Sequence, residues 1–171
     1  MRVLLLGLLV ALLAGCGFHL RGTDLTSNLV ASKVQVVGGG GTAQQLRRAL
    51  QNAPGVALID TPETGALQID IQQEGSQQQV LTLNSLGRVG EYRLYYTVQF
   101  RARQNNDTVL ESSVLSLYRD YTYDDSNVLG KDNEANTLIA NMQQDAALQV
   151  LRRVNTAMRN ARAASAPSDA R

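Results

Sequence analysis

Residues 94–103 read LYYTVQFRAR and form the clearest strand pattern in the chain. Apolar and polar residues alternate along this stretch with a period of two, which is typical of a strand with one buried face. The apolar set should contact the core: Leu94, Tyr96, Val98, Phe100 and Ala102. The other face then carries residues that are either solvated or in contact with a partner: Tyr95, Thr97, Gln99, Arg101 and Arg103.

Strand patterns also precede this stretch. Residues 33–37 and 67–71 are strand candidates, and residues 56–59 are a candidate for a shorter one. We expect residues 80–83 to continue the strand of residues 67–71 beyond a bulge at Gly75.

The strand that follows should span residues 109–123, after the turn residues Asn105, Asn106 and Asp107. Its apolar parity shifts partway along, which predicts a bulge near Ser112 and Ser113. Long strands joined by short turns favour an antiparallel meander.

Two helices are predicted from apolar residues at helical spacing. The first opens with a capping box formed by Thr42 and Gln45 and ends at Pro54-Gly55. The second begins at about Asp132, which can act as its N-cap. Its apolar stripe is long: Ala135, Leu138, Ile139, Met142, Ala146, Val150, Val154 and Met158.

The element order is therefore β-α-β-β-β-α, which indicates an α+β fold. We expect an antiparallel or mixed sheet of about four strands with two helices packed on one face. The second face of the sheet would then be uncovered, and residues 95–103 would contribute their polar side chains to it.

The N-terminal segment resembles a bacterial lipoprotein signal. Val3–Leu12 is an apolar run too short to span a membrane, and small residues lead to Cys16, the chain's single cysteine. We expect residues 1–15 to be removed and Cys16 to be lipidated, giving strong membrane attachment. In bacterial lipoproteins, an Asp directly after the lipidated cysteine favours retention in the inner membrane. This chain has Gly17 at that position, which indicates a location on the periplasmic side of the outer membrane. The alternatives are an ordinary secretory signal or a buried free thiol.

The remaining chain divides into a lipidated tether at 16–32, a single domain at 33–163 and a disordered tail at 164–171. The formal net charge of +1 argues against nucleic-acid binding. His19 has no ligand partners near it, so we expect neither a metal site nor a cofactor. No Ser-His-Asp or paired-carboxylate arrangement is visible, so we do not expect an enzyme.

Three stretches resemble the LptE family of lipopolysaccharide-assembly lipoproteins: CGFHLRG (16–22), GEYRL (90–94) and KDNE (131–134). Together with the element order, the resemblance covers nearly the whole mature chain. It implies an α+β plug that occupies the outer-membrane β-barrel LptD in a 1:1 heterodimer. Such a plug aids assembly of the barrel and binds lipopolysaccharide for insertion into the outer leaflet, without covalent chemistry.

The resemblance also implies site residues. Lys131 matches the family's Lys before Asp-Asn-Glu, which implies contact with lipopolysaccharide. Arg88 is a further candidate, although family members can carry the hairpin Arg a few residues earlier, where this chain has Ser85. Arg93 and Arg119 are weaker candidates. The alternative for each cation is a solvated surface charge. The residues expected to contact the barrel are those of the uncovered face: Tyr95, Thr97, Gln99, Arg101 and Arg103.

Other functions remain open from the residues alone. One alternative is another structural outer-membrane lipoprotein. A freestanding periplasmic lipid carrier would need an apolar cavity, which an open sheet with a helical layer does not provide. An enzyme or enzyme inhibitor would need a site that the sequence does not display.

Overall fold

The computed structural model describes residues 29–105 and 107–165. The predicted signal segment, the Cys16 lipidation site and most of the tether lie outside the described residues, as do residues 166–171. The long C-terminal helix runs to Ser165, two residues beyond the predicted end of the domain at residue 163.

Five strands form a single sheet in the order β2-β1-β3-β4-β5. They are β1 (Lys33–Val37), β2 (Ala57–Ile59), β3 (Leu67–Leu83), β4 (Val89–Gln104) and β5 (Asp107–Thr122). The sheet has one strand more than predicted because the short candidate at 56–59 is a true edge strand.

The pairing directions confirm the mixed sheet. Strands β3, β4 and β5 are antiparallel neighbours, as the meander predicts. Strand β1, however, runs parallel to both β2 and β3. The parallel pairs follow from the connections: the chain crosses over through a helix between β1 and β2, as parallel neighbours require.

The bulges lie only partly where they were predicted. On β3 the register shifts between Ile71 and Gln73, whereas Gly75 is regularly paired with Thr97, so the predicted bulge at Gly75 is wrong. On β5, Ser113 pairs with Phe100 and Leu110 pairs with Ala102. Residues 111–112 therefore oppose Arg101, which confirms an irregularity close to the predicted position.

The N-terminus of helix α1 (Gly41–Gln51) is capped by a side chain of β3, a strand that is distant from the helix in sequence. The predicted capping box is wrong, because the Thr42 side chain makes no cap hydrogen bond and instead pairs with the Tyr96 hydroxyl at 2.9 Å. The Thr42 backbone N–H donates to the Glu74 carboxylate at 3.0 Å, which places negative charge at the positive end of the helix. Gly40 has a φ of 89°, and a Cβ there would collide with the Glu74 side chain, so only glycine fits this approach.

Helix α2 (Val128–Ser165) begins four residues before the predicted start at Asp132. A short 3-10 helix, Asp125–Asn127, leads into it, and the Asp124 carboxylate accepts from the Ser126 backbone N–H at 2.9 Å. The first turn of α2 buries no residue, so no apolar stripe marks it in the sequence. Neither helix of the described chain is long and apolar enough to cross a membrane.

Both helices pack on the same face of the sheet, as predicted. The five core-facing side chains predicted on β4, from Leu94 to Ala102, are at most 2% exposed, and Phe100 is fully buried. The helices close the core with these buried residues: Ala43, Leu46 and Leu50 from α1, and Met142, Ala146, Val150, Leu151, Val154 and Met158 from α2.

One edge of the sheet is only partly paired. Strand β1 pairs with β3 as far as Asp70, and beyond that point the described residues give β3 a neighbour on the β4 side alone. The stretch 75–83, GSQQQVLTL, is exposed along its whole length. It contains neither proline nor a charged residue.

Candidate functional site

The face of the sheet opposite the helices is uncovered in the described structure, and we call it the bare face. On β4 it carries the predicted set, of which Thr97 is exposed and the others are half-buried: Tyr95, Gln99, Arg101 and Arg103. The strict alternation of β4 places them there, because neighbouring side chains of a strand point to opposite faces. The sequence therefore located this surface correctly.

Polar side chains on the bare face bond to one another across the strands. The Gln99 amide donates to Ser112 Oγ at 2.9 Å, and the Ser112 hydroxyl donates to Gln72 Oε1 at 2.6 Å. The hydroxyls of Thr97 and Ser116 lie 3.3 Å apart. These bonds span β3, β4 and β5 and hold the polar groups in fixed positions. The surface thus carries ordered side chains with hydrogen-bonding capacity to spare.

Two arginines of this face are already paired with carboxylates. Arg101 forms an ion pair with Asp70 at 2.8 Å. Arg93 donates two bonds to Asp120, at 2.7 and 2.8 Å, and its guanidinium lies 4.7 Å from the centroid of the Tyr118 ring. The paired arginine holds the pKa of the Asp120 carboxyl below its usual range. An incoming phosphate would have to displace this carboxylate, so Arg93 is less available than the sequence suggested.

A shallow groove runs along the bare face between β3 and β4. Its volume is about 320 Å³, and Gly75 contributes no side chain to fill it. No residue that carries a formal charge lines it: Gln73, Gly75, Ser76, Gln77, Tyr95, Thr97, Gln99 and Val114. A partner surface that enters the groove would meet amides, hydroxyls and a phenol.

Arg88 and Lys131 lie at one end of the domain, which we call the hairpin end (residues 83–88 and 124–131). The Asn84 carboxamide oxygen accepts from the backbone N–H groups of Leu86 and Arg88, both at 3.0 Å, and so fixes the turn. Arg88 lies 3.7 Å from the Asp125 carboxylate, which joins the hairpin to the start of α2.

Lys131 belongs to the same end. Its ammonium donates to Glu134 at 2.8 Å and to Thr122 Oγ1 at 3.1 Å. Its charge also helps to lower the pKa of the Asp124 carboxyl, which is set mainly by hydrogen bonds from Ser126. The structure therefore brings two of the predicted lipopolysaccharide-binding cations to one end, each beside a carboxylate.

An aromatic cluster supports this end from the core side. Tyr92 stacks on Tyr121 with ring centroids 5.8 Å apart and meets Tyr123 edge-on at 5.0 Å. Burial raises the pKa of the Tyr121 hydroxyl. The Tyr123 backbone N–H also donates to the Gly90 carbonyl at 2.9 Å, which ties the loop before α2 to the hairpin. The positions of Arg88 and Lys131 thus depend on a packed base.

Sequence reasoning missed the apolar side chains of the hairpin end. Leu86 is 77% exposed, Leu129 is 76% exposed and Leu83 is 63% exposed. A signal was present, because Leu86 stands inside a turn of Asn, Ser and Gly, where large apolar residues are uncommon. Among residues 29–105 and 107–165, no cluster of three or more His, Cys, Asp or Glu side chains could hold a metal ion.

Comparison with known proteins links this arrangement to one family. A family model described as LptE, lipopolysaccharide-assembly, matches residues 31–154. The LPS-assembly lipoprotein LptE of Pectobacterium atrosepticum is 24% identical over 155 residues, which cover 90% of this chain and 84% of that protein.

Two solved structures share the fold. Rare lipoprotein B from Shewanella oneidensis has a TM-score of 0.68 and 20% identity, and covers 76% of this chain and 98% of its own. A lipoprotein B from Nitrosomonas europaea has a TM-score of 0.67 and 27% identity, and covers 81% of this chain and 90% of its own. The family match includes all five strands, α1 and most of α2. The resemblance seen in the sequence is thus confirmed, and the chain belongs to the LptE family of lipopolysaccharide-assembly proteins.

Proposed function

We propose that this protein is an outer-membrane lipoprotein subunit of the lipopolysaccharide translocon, anchored through Cys16 on the periplasmic side. It plugs the LptD β-barrel as a 1:1 partner, aids the assembly of that barrel and binds lipopolysaccharide for insertion into the outer leaflet. It performs no covalent chemistry. Besides the family, the observation that supports the plug most directly is the ordered polar bare face.

The lumen of a large outer-membrane barrel is polar, so a plug needs a surface that forms hydrogen bonds instead of an apolar one. On the bare face, amides and hydroxyls are already held in place by cross-strand bonds between Gln99, Ser112 and Gln72. Pre-positioned groups lose little conformational entropy when a partner docks. The bare face therefore suits a wet, stable contact with a barrel wall.

Co-purification tests the plug directly. A tagged form of the full chain, extracted from outer membranes in mild detergent, should bring down one large β-barrel protein at equal stoichiometry. Recovery as a monomer would contradict the plug and favour a freestanding lipoprotein.

The double substitution Arg88→Glu with Lys131→Glu is expected to weaken lipopolysaccharide binding by about tenfold or more, since each cation would form charge-assisted bonds to a phosphate. Arg88 is 65% exposed at its side chain, whereas Lys131 is 17% exposed and bonded to Glu134 and Thr122, so the thermal unfolding midpoint should fall through the Lys131 change. Circular dichroism at the assay temperature confirms that the double variant is folded. Binding of fluorescent lipopolysaccharide to the purified protein measures the effect. A matched control is Arg48→Glu with Lys33→Glu, which changes the same charge at distant exposed positions. Equal losses in both double variants would show that net charge alone governs binding.

Asp125→Asn removes a negative charge beside Arg88 and should have the opposite effect on lipopolysaccharide binding. The carboxylate competes with an incoming phosphate for Arg88, from which it lies 3.7 Å away. Removal of an exposed ion pair changes affinity only modestly, so binding should become tighter by about two- to fivefold. A weaker affinity in this variant would contradict a phosphate site at Arg88.

Cys16→Ala is expected to release the protein from the membrane into the soluble periplasmic fraction when the barrel partner is absent, because the acyl chains provide the anchor. Cell fractionation with immunoblotting measures the distribution. With the barrel present, the plug contact should retain much of the variant in the membrane fraction. An unaltered distribution without the barrel would argue against lipidation at Cys16.

A further inference from the structure

We propose that the exposed leucines of the hairpin end, Leu83, Leu86 and Leu129, form a subsite for the acyl chains of a single lipopolysaccharide molecule whose phosphate is bound by Arg88 and Lys131. This inference rests on the proposed function and deepens it, since it assigns the apolar part of the ligand to particular side chains.

The apolar and cationic groups are held together by several contacts. Leu86 and Arg88 share one turn, in which Asn84 accepts from both of their backbone N–H groups at 3.0 Å. The Arg88–Asp125 pair at 3.7 Å brings this turn to the segment that leads into α2. Leu129 and Lys131 both lie in the first turn of that helix.

The exposure of these leucines distinguishes them from the rest of the domain. Leu86 and Leu129 are more than three-quarters exposed, and Val128, which precedes Leu129 in the chain, is 46% exposed. Single exposed apolar residues are ordinary, but several of them on two segments joined by an ion pair indicate a contact site. The described residues of the domain leave these apolar side chains largely exposed.

The flanking charges identify the occupant. Arg88 is 65% exposed at its side chain and lies 3.7 Å from the Asp125 carboxylate, a distance that leaves guanidinium donors for another anion. A ligand that satisfies both halves of this surface combines a phosphate with hydrocarbon. A strand or helix of another protein could pack against the leucines, but it would not by itself supply an anion for the two cations.

The test compares acylated with deacylated lipopolysaccharide as probes for the purified full-length protein in a non-ionic detergent. Leu86→Ser with Leu129→Ser is expected to weaken binding of the acylated probe by about tenfold, because two apolar contacts are lost. The same variant should bind the deacylated probe within about twofold of the wild type, because the cations are intact. Val114→Ser is the matched control: Val114 is 58% exposed on the bare face, and binding of both probes should be unchanged.

Unchanged binding of the acylated probe in the leucine variant would overturn the subsite while leaving the proposed function standing. If the wild type bound neither probe, lipopolysaccharide binding itself, and with it the proposed ligand role, would fail. A third arm uses phosphatidylglycerol vesicles. Loss of vesicle binding as large as the loss of lipopolysaccharide binding would assign the leucines to the membrane surface and would also overturn the subsite. Circular dichroism at the assay temperature confirms that the variants are folded.

Discussion

Phe100→Ala is expected to lower the free energy of unfolding by about 3–5 kcal/mol, the typical cost of removing a large aromatic side chain from a core. Phe100 is fully buried on β4, which is the strand with long partners on both sides. It pairs with Ile71 of β3 and Ser113 of β5, next to the irregularities of both neighbouring strands. Urea denaturation monitored by circular dichroism measures the change.

Thr97→Ala is the control for this variant, because Thr97 belongs to the same strand but faces away from the core and is exposed. Its replacement should change stability by less than about 1 kcal/mol. Comparable losses in the two variants would contradict the assignment of core and bare faces on β4.

Thr97→Glu is expected to weaken association with the proposed barrel partner by at least about tenfold. Thr97 lines the groove of the bare face, where no formally charged residue is present. A carboxylate enclosed there by a partner would lose its hydration without gaining a cation, and an unpaired buried charge costs several kcal/mol. The isolated domain should keep its stability because the position is exposed. Co-purification yield and the detergent stability of the complex measure the effect.

Asn52→Glu adds the same charge at an exposed site just after α1, in the helical layer on the other side of the sheet. It should leave the yield of the complex unchanged. If the two variants lost the partner equally, the bare face would have no special role in the contact. Full retention of the barrel by Thr97→Glu would exclude the groove from the interface.

The sheet could be predicted where residue patterns are local and strict. The alternation of residues 94–103 identified both faces of β4, because a period of two in such a long run fits only a strand with one buried face. The shift of apolar parity near Ser112 likewise revealed the irregularity of β5. The parallel pairing of β1 and the edge strand Ala57–Ile59 depend on contacts between distant segments, and a strand this short leaves almost no pattern.

Helix boundaries were less predictable, for reasons visible in individual contacts. The N-terminus of α1 is capped by Glu74, which lies 32 residues away from Thr42 in sequence and comes into reach only when β3 is in place. Helix α2 begins with Val128 and Leu129, whose side chains are exposed and so leave no apolar stripe.

The candidate site, like the helices, could be predicted only in part from the sequence. The alternation of β4 predicted which residues lie on the bare face. It could not predict the pairing of Arg93 with Asp120, because these two residues lie 27 positions apart in sequence and on different strands. The two bonds at 2.7 and 2.8 Å bind Arg93 to Asp120 more firmly than the contact at 3.7 Å binds Arg88 to Asp125, a difference that the sequence does not display.

Residues 75–83 of β3, which have a strand neighbour on one side alone among the described residues, have a consequence for how the protein is handled in the cell. An exposed strand without proline or charge is a template on which another chain can add a strand, and other proteins block such edges to avoid aggregation. Molecules with this edge exposed would therefore tend to associate through residues 75–83. A partner or a chaperone that covers this strand would keep the protein from precipitating.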